Sequence, residues 1–279
     1  MRTLKPHLQA ILKRVGIYQR LRASFLYDLY WKVADRSLLE DRHREIDFYR
    51  TLLTGFREGD LIFDVGANQG SKTAIFLSLG ARVVAVEPDE ANQRILREMF
   101  LKYRLTPMPV VIVGKAMSDR CALETMWIDE PGSAKNTFSQ KWVETLKHDQ
   151  ERFGHTFNFP QRREVTTSTL EALFITYGLP FFVKIDVEGY ELNVLQGMRR
   201  PVPYLSFEVN LPEFRPEGLR CVELLGRLAV NGRFNYTADC RRGFVLEEWL
   251  DPYAFSRVLY QCADKSIEVF WNASVSLPQ

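Results

Sequence analysis

From Leu61 onward, short apolar runs alternate with stretches of helical periodicity. Continuous apolar runs of four to six residues, bounded by turn residues, predict buried strands over 61–65, 83–86, 110–113, 181–186 and 204–209. Between them the spacing predicts helices over 71–79, 91–103, 190–198 and 219–229, with two last strands over 234–236 and 266–271. Strand and helix taking turns in this way builds a parallel sheet with helices packed against it. The interval from Ala116 to Pro180 breaks the rhythm, being far longer than a single crossover requires. It holds a small polar stretch, Gly132-Ser133-Ala134-Lys135-Asn136-Thr137, and then Trp142, His148, Phe153, His155, Phe157 and Phe159. A long insert with that content predicts a lid, placed over about 120–168.

Ahead of the first strand the pattern differs. Leu4, Leu8, Ile11, Val15, Tyr18, Leu21, Phe25, Leu29 and Val33 fall at helical steps, interrupted near Gly16. Residues 1–36 carry eight Lys and Arg against two Asp, a net of +6 that leaves −4 for the remainder. The expectation is a basic amphipathic helical extension over 1–50, followed by one domain over 51–279. Such a helix either packs on its own domain or lies on an anionic membrane surface or an acidic partner. Composition adds exclusions. With 46% apolar and 26% charged residues the chain is neither disordered nor fibrous. No uninterrupted apolar run reaches membrane-spanning length, and basic residues break every candidate secretory core. Cys121, Cys221, Cys240 and Cys262 are too scattered for a metal motif and read as reduced thiols. The expected location is the cytoplasm, with peripheral contact at the inner membrane surface through 1–36 as an option.

The first strand-to-helix turn selects a cofactor class. It reads Asp64-Val65-Gly66-Ala67-Asn68-Gln69-Gly70, not the G-x-G-x-x-G that a pyrophosphate needs. An acid at the strand end repels a pyrophosphate but attracts the sulfonium and ammonium of S-adenosylmethionine. Gly66 and Gly70 are expected to leave space beside that ligand, with Asn68 between them. Glu87 ends the second strand 21 residues after Gly66, the place of an acid that accepts from ribose hydroxyls. Ser118-Asp119 follows the third strand, where Asp119 either meets an adenine amine or caps a turn.

The fourth strand ends Lys184-Ile185-Asp186-Val187-Glu188-Gly189-Tyr190-Glu191. Strand alternation puts Lys184 and Asp186 on one face, and charges in an apolar run need a partner or a task. Glu208 ends the fifth strand beside Asp186, at the edge where open sheets bind ligands. Acids there either take a proton from a hydroxyl or hold a divalent ion, and Asp186 and Glu208 are the candidate metal ligands. A base without obligatory metal is preferred, because no His joins the acids in the sequence. His148 and His155 are lid-borne alternatives, and Glu188 and Glu191 read as helix caps. Trp127, Phe138, Trp142 and Phe159 offer flat faces to a sugar ring or fill the lid core.

Taken in order, Asp64 to Gly70, Glu87-Pro88, Ser118-Asp119, Lys184 to Glu191 and Ser206-Phe207-Glu208 resemble the FkbM family of S-adenosylmethionine-dependent methyltransferases. The resemblance covers about 59–271 and is most specific in the run Lys184 to Glu191. It implies a Rossmann-like class I methyltransferase fold, with a mostly parallel seven-stranded sheet and helices on both faces. It also implies S-adenosyl-L-methionine as cofactor and O-methylation of a sugar hydroxyl on a glycan, glycolipid or nucleotide sugar. The implied cofactor contacts are Asp64, Gly66, Asn68, Gly70, Glu87, Ser118, Asp119 and Asp186, and the implied catalytic set is Asp186, Glu208, Lys184 and His148. Still open are a non-sugar acceptor such as a small molecule or RNA, and a non-catalytic binding protein. Acids crowding the cleft argue against a nucleic-acid partner.

Overall fold

The computed structural model describes residues 36–101, 103 and 110–274. The amphipathic pattern over 1–35 lies outside them. Seven strands form the main sheet: β1 (Leu61–Val65), β2 (Arg82–Val86), β3 (Val110–Val113), β7 (Phe182–Ile185), β8 (Tyr204–Asn210), β9 (Arg233–Thr237) and β10 (Ser266–Asn272). Their order is β3-β2-β1-β7-β8-β10-β9. The first five run parallel, and β10 is antiparallel to both β8 and β9. This is the expected mostly parallel, Rossmann-like seven-stranded sheet.

Alternation along each strand divides the apolar side chains between two cores. Phe63, Val65, Val84, Val86, Val183, Ile185, Leu205 and Phe207 face one way. They pack under α6 (Leu170–Tyr177), α7 (Glu191–Gln196), α8 (Arg215–Leu228) and α9 (Pro252–Gln261). Ile62, Val83, Ala85, Phe182 and Phe270 face the other way, under α1 (Arg36–Leu52), α2 (Ser71–Ser78) and α3 (Glu90–Met99). Strands buried on both faces explain why they read as unbroken apolar runs. Among the described residues the cysteines are unpaired, three of them buried. No described helix is long and apolar enough to cross a membrane.

The insert differs from expectation, whereas α1 takes one of the placements left open for the extension. The long insert holds β4 (Ala116–Met117), β5 (Leu123–Ile128), α4 (Gln140–His148), α5 (Gln150–Phe153) and β6 (Gln161–Ser168), with a small sheet in the order β4-β6-β5. Its helical part belongs to the main core. Trp142, Val143 and Leu146 are wholly buried, and Trp142 meets Phe153 and Phe214 edge-on at 5.8 and 5.6 Å. Helix α1 likewise packs into the domain. Tyr49 is fully buried, its ring 5.2 Å from Phe76 and 5.8 Å from Phe182.

Tyr49→Ala is expected to lower unfolding stability by about 3–5 kcal/mol, the usual cost of emptying a buried aromatic site. Urea denaturation of both proteins measures it, and an unchanged midpoint would make α1 a dispensable appendage.

Candidate functional site at the carboxyl edge of the sheet

The site grows out of a polar row buried in the middle of the sheet. In register across β1, β7 and β8 lie Asp64, Lys184 and Ser206. Lys184 is 3% exposed, and an ammonium so placed demands carboxylates around it. Its Nζ donates to Asp186 Oδ2 at 2.8 Å, as strand alternation predicted. Burial favours the neutral amine, but Asp186, Glu268 and Asp64 outweigh it and hold Lys184 well above its ordinary value. Burial would raise the Asp186 carboxyl, yet Lys184 overrules this and keeps it below the usual range. Asp64 Oδ2 accepts from Thr73 Oγ1 at 2.5 Å, and burial raises its carboxyl.

Above this row two cavities meet at Asp186. The first, of about 150 Å³, is walled by Gly66, Asn68, Glu87, Asn92, Met117, Asn136, Phe138, Asp186 and Tyr190, among others. Glu87 accepts from the backbone N–H of Asn68 and of Asp89, both at 2.8 Å, and burial pushes it up to about 7. Asn68 adopts a left-handed φ of 48°, which turns the loop toward Glu87. The second cavity, of about 330 Å³, takes in Lys72, Lys184, Asp186, Glu208, Thr237, Arg241, Ser266 and Glu268, with Glu45 from α1.

The acids between the cavities are tuned in opposite directions. Glu208 accepts from Ser266 Oγ and Asn210 Nδ2 at 2.9 Å each. Burial, then the neighbouring Asp186, Glu188 and Glu191, raises it well above an ordinary carboxylate. Glu188 joins them in a left-handed conformation, φ 55°, that is uncommon away from glycine. It receives Lys135 Nζ at 2.8 Å and Trp142 Nε1 at 2.8 Å. Carboxylate oxygens of Asp186, Glu188 and Glu208 lie within 4.8 Å of one another.

Several sequence expectations need correction. A Cβ on Gly66 would lie 1.7 Å from the Asp186 carbonyl oxygen, and one on Gly70 would lie 2.6–2.9 Å from Leu96 and Phe100 side-chain atoms. Gly70 therefore lets protein approach protein rather than clearing room for a ligand, whereas Gly66 does both, sitting against the Asp186 backbone and in the cavity wall. Ser118 is buried against Glu124 and Asp119, and Asp119 pairs with Arg120; neither lines the cavity, where Met117 stands instead. Asp64 also sits behind the wall, not in it. His148 is 80% exposed, 3.9 Å from Glu144, and lines neither cavity; His155 is exposed against Phe157. Glu191 was expected to cap its helix but instead braces the turn ahead of it, accepting from Val187 and Gly189 N–H, and burial pushes it up to about 8. Glu188 is not a cap. Of the aromatic candidates, Phe138 reaches the cavity, Trp127 stacks under Arg162, and Trp142 and Phe159 are core.

Residues 64–227 match the family described as the methyltransferase FkbM domain. The chain belongs to the FkbM methyltransferase family. Over 172 residues it is 28% identical to hexuronic acid methyltransferase AglP of Haloferax volcanii, a span of 61% of this chain and 63% of that protein. The solved methyltransferase FkbM of Methylobacillus flagellatus KT shares the fold, with a TM-score of 0.51 and 16% identity. That likeness covers 82% of this chain and 47% of the other. FkbM membership implies S-adenosylmethionine as cofactor, and the polar groups lining the first cavity suit its hydroxyl and amino donors. The buried amide oxygens Asn68 Oδ1 and Asn92 Oδ1 have no partner among the described residues. With Glu87 they give the wall three acceptors for hydroxyl and amino donors.

Because ribose hydroxyls favour the ionised Glu87, affinity for S-adenosylhomocysteine should rise from about pH 6 to about pH 8, with proton release on binding. Glu87→Gln should flatten that dependence and weaken binding by about 1–3 kcal/mol. Calorimetry in buffers of different ionisation enthalpy checks both; a flat wild-type profile would take Glu87 out of the cofactor contact.

Proposed function

We propose that the protein transfers a methyl group from S-adenosylmethionine to a hydroxyl of a sugar. What carries the reading is Asp186, shared by the cofactor cavity and by a second, densely polar cavity. Carboxylates, lysine, arginine and hydroxyl side chains in one space suit a polyhydroxylated acceptor better than an apolar one. The printed activity of the Haloferax relative, methylation of a hexuronic acid, supports the same class.

S-adenosylmethionine, when bound, supplies a methyl group already activated by its sulfonium. The residues of this chain have two remaining tasks, to hold a hydroxyl oxygen in line and to accept its proton. Asp186 was the expected base, but Lys184 makes it a weak proton acceptor. Its pinned carboxylate orients the hydroxyl instead. Glu208, raised by burial and by neighbouring acids, has the affinity for a proton that a base needs. Lys184 cannot serve as base, since its own proton is held too strongly. Lys135 and Trp142 fix Glu188, which stands with Asp186 beside Glu208 and helps to raise it.

The lid expectation narrows to 132–138. The Gly132 N–H and Asn136 Nδ2 reach Asp89 at 2.7 and 2.8 Å, and Thr137 Oγ1 reaches the Glu188 carbonyl at 2.7 Å. The enclosed 150 Å³ is smaller than the roughly 300–1,000 Å³ of typical ligand pockets. This segment must therefore swing outward for a nucleoside to enter.

Methyl-labelled cofactor offered with uronic acids, neutral sugars, a phenol and RNA tests the acceptor class; label on phenol or RNA alone would overturn it. Glu208→Gln should cut turnover by about 10²- to 10⁴-fold while S-adenosylhomocysteine binding stays nearly constant. Wild-type turnover should fall with acid through a pH above the ordinary glutamate value of 4.5. A chelator should leave the rate unchanged; activity lost to chelator and restored by Mg²⁺ would assign the acid cluster to a divalent ion.

A further inference from the structure

The second cavity does not end the path away from the cofactor. Cys240 and Arg241 line it, and they also line a third hollow of about 670 Å³ between α1 and the segment 243–249. The floor of that groove is aromatic. Phe244 lies 5.0 Å from Phe48, 5.2 Å from Trp249 and 5.3 Å from Phe270 of the sheet, so the cluster is braced from below. Its charged rim is unbalanced, with Arg44, Arg241 and Arg242 against Asp47. Arg241 is immobilised, donating to Asp41 at 2.8 Å and to Asp239 at 2.7 Å. Arg242 is free to act, 87% exposed with its nearest carboxylate 3.9 Å away. Arg44 is 59% exposed, with carboxylates only at 3.5 and 3.6 Å.

We infer that the acceptor is a chain of acidic sugars, its methylated unit in the Asp186 cavity and its next unit on the Trp249–Phe244 face of the groove, with the linkage passing Arg241. The inference rests on the sugar reading above and adds a length and a charge to it. Rigid aromatic faces beside an exposed, loosely paired guanidinium such as Arg242 suit a ring whose C–H face stacks while its carboxylate pairs with arginine. A single sugar would leave the larger of the two hollows empty.

The test uses full-length protein loaded with S-adenosylhomocysteine and calorimetry with galacturonic acid oligomers of one, two and three units, beside glucose oligomers of equal length. Affinity should rise about tenfold from one acidic unit to two, and much less in the neutral series. Trp249→Ala should bring the two-unit to one-unit ratio toward one. Arg242→Ala, at an exposed site where folding is not at stake, should shrink the advantage of acidic over neutral oligomers. Equal affinity at all lengths, a length gain that survives both substitutions, or no binding of any oligomer would each overturn the inference. So would a dimer that dissociates on Trp249→Ala, since the groove would then hold a second copy. Methyl transfer with labelled cofactor separates the two readings. Length-dependent binding without transfer sinks the sugar methyltransferase, whereas equal transfer to one unit and to three sinks only the groove.

Discussion

A lysine buried in the central strand sets the terms for everything at the carboxyl edge. Lys184 lies on β7 between β1 and β8, where most neighbours are aliphatic or aromatic. Leaving an ammonium unpaired there would cost several kcal/mol, so the fold surrounds it with carboxylates from other strands. Asp64 comes from β1, Glu268 from β10, and Asp186 from the turn directly above. The same lattice ties down the outer layer. Glu268 accepts from Ser206 at 2.7 Å and from Tyr49 of α1 at 3.5 Å, while Lys72 of α2 pairs with Glu45 of α1. One buried charge thus joins four strands to two helices and leaves a carboxylate, Asp186, at the opening of the cleft.

That arrangement also separates the acids by strength. Asp186 has its cation at 2.8 Å and stays ionised. Glu208 has no such partner of its own, and it sits among Asp186, Glu188 and Glu191. Only one member of a crowded acid group can be held ionised cheaply, and the next becomes proton-hungry. Two carboxylates a strand apart acquire different chemistry from the placement of one lysine. The division needs no difference in residue type, because Glu and Asp start with nearly equal affinities for a proton.

Most of the sheet was legible because burial on both faces leaves an unmistakable apolar run, and because Asp64, Glu87 and Asp186 interrupt or end those runs. Glu87 and Asp186 line the first cavity for the same reason, since a strand end fixes where its last side chain goes. The failures share another cause. Gly70 reads as ligand clearance until Leu96 and Phe100 are seen filling the space, a packing partner some 26–30 residues away. Glu188 reads as a helix cap until its left-handed backbone turns it to Lys135, 53 residues distant. His148 has chemistry that suits a base, but nothing local told that α4 would leave it in solvent. Helix α9 went unread, since its alternation of apolar and polar positions over 252–261 sits in a stretch bounded by other turn residues. Side chains whose role is set by a contact distant in sequence carry no local mark of it.

The two halves of the site differ in where their residues come from. Every wall residue of the first cavity falls within 65–190, inside the span matched to the FkbM family. The second cavity draws Glu45 from before that span, and Thr237, Arg241, Ser266 and Glu268 from after it. The aromatic groove lies almost wholly outside it too. The family match therefore covers the first cavity and the acids at its edge, and leaves much of the second cavity outside it. On the proposed reading the acceptor meets side chains of α1 and the last two strands, and these are held in place by the Lys184 lattice through Tyr49 and Glu268. A change of acceptor would need new side chains on those elements and no change to the row beneath them. The physical limit on such change is Glu268 itself, which touches the acceptor cavity and also balances the buried lysine, so it cannot be exchanged without cost to the fold.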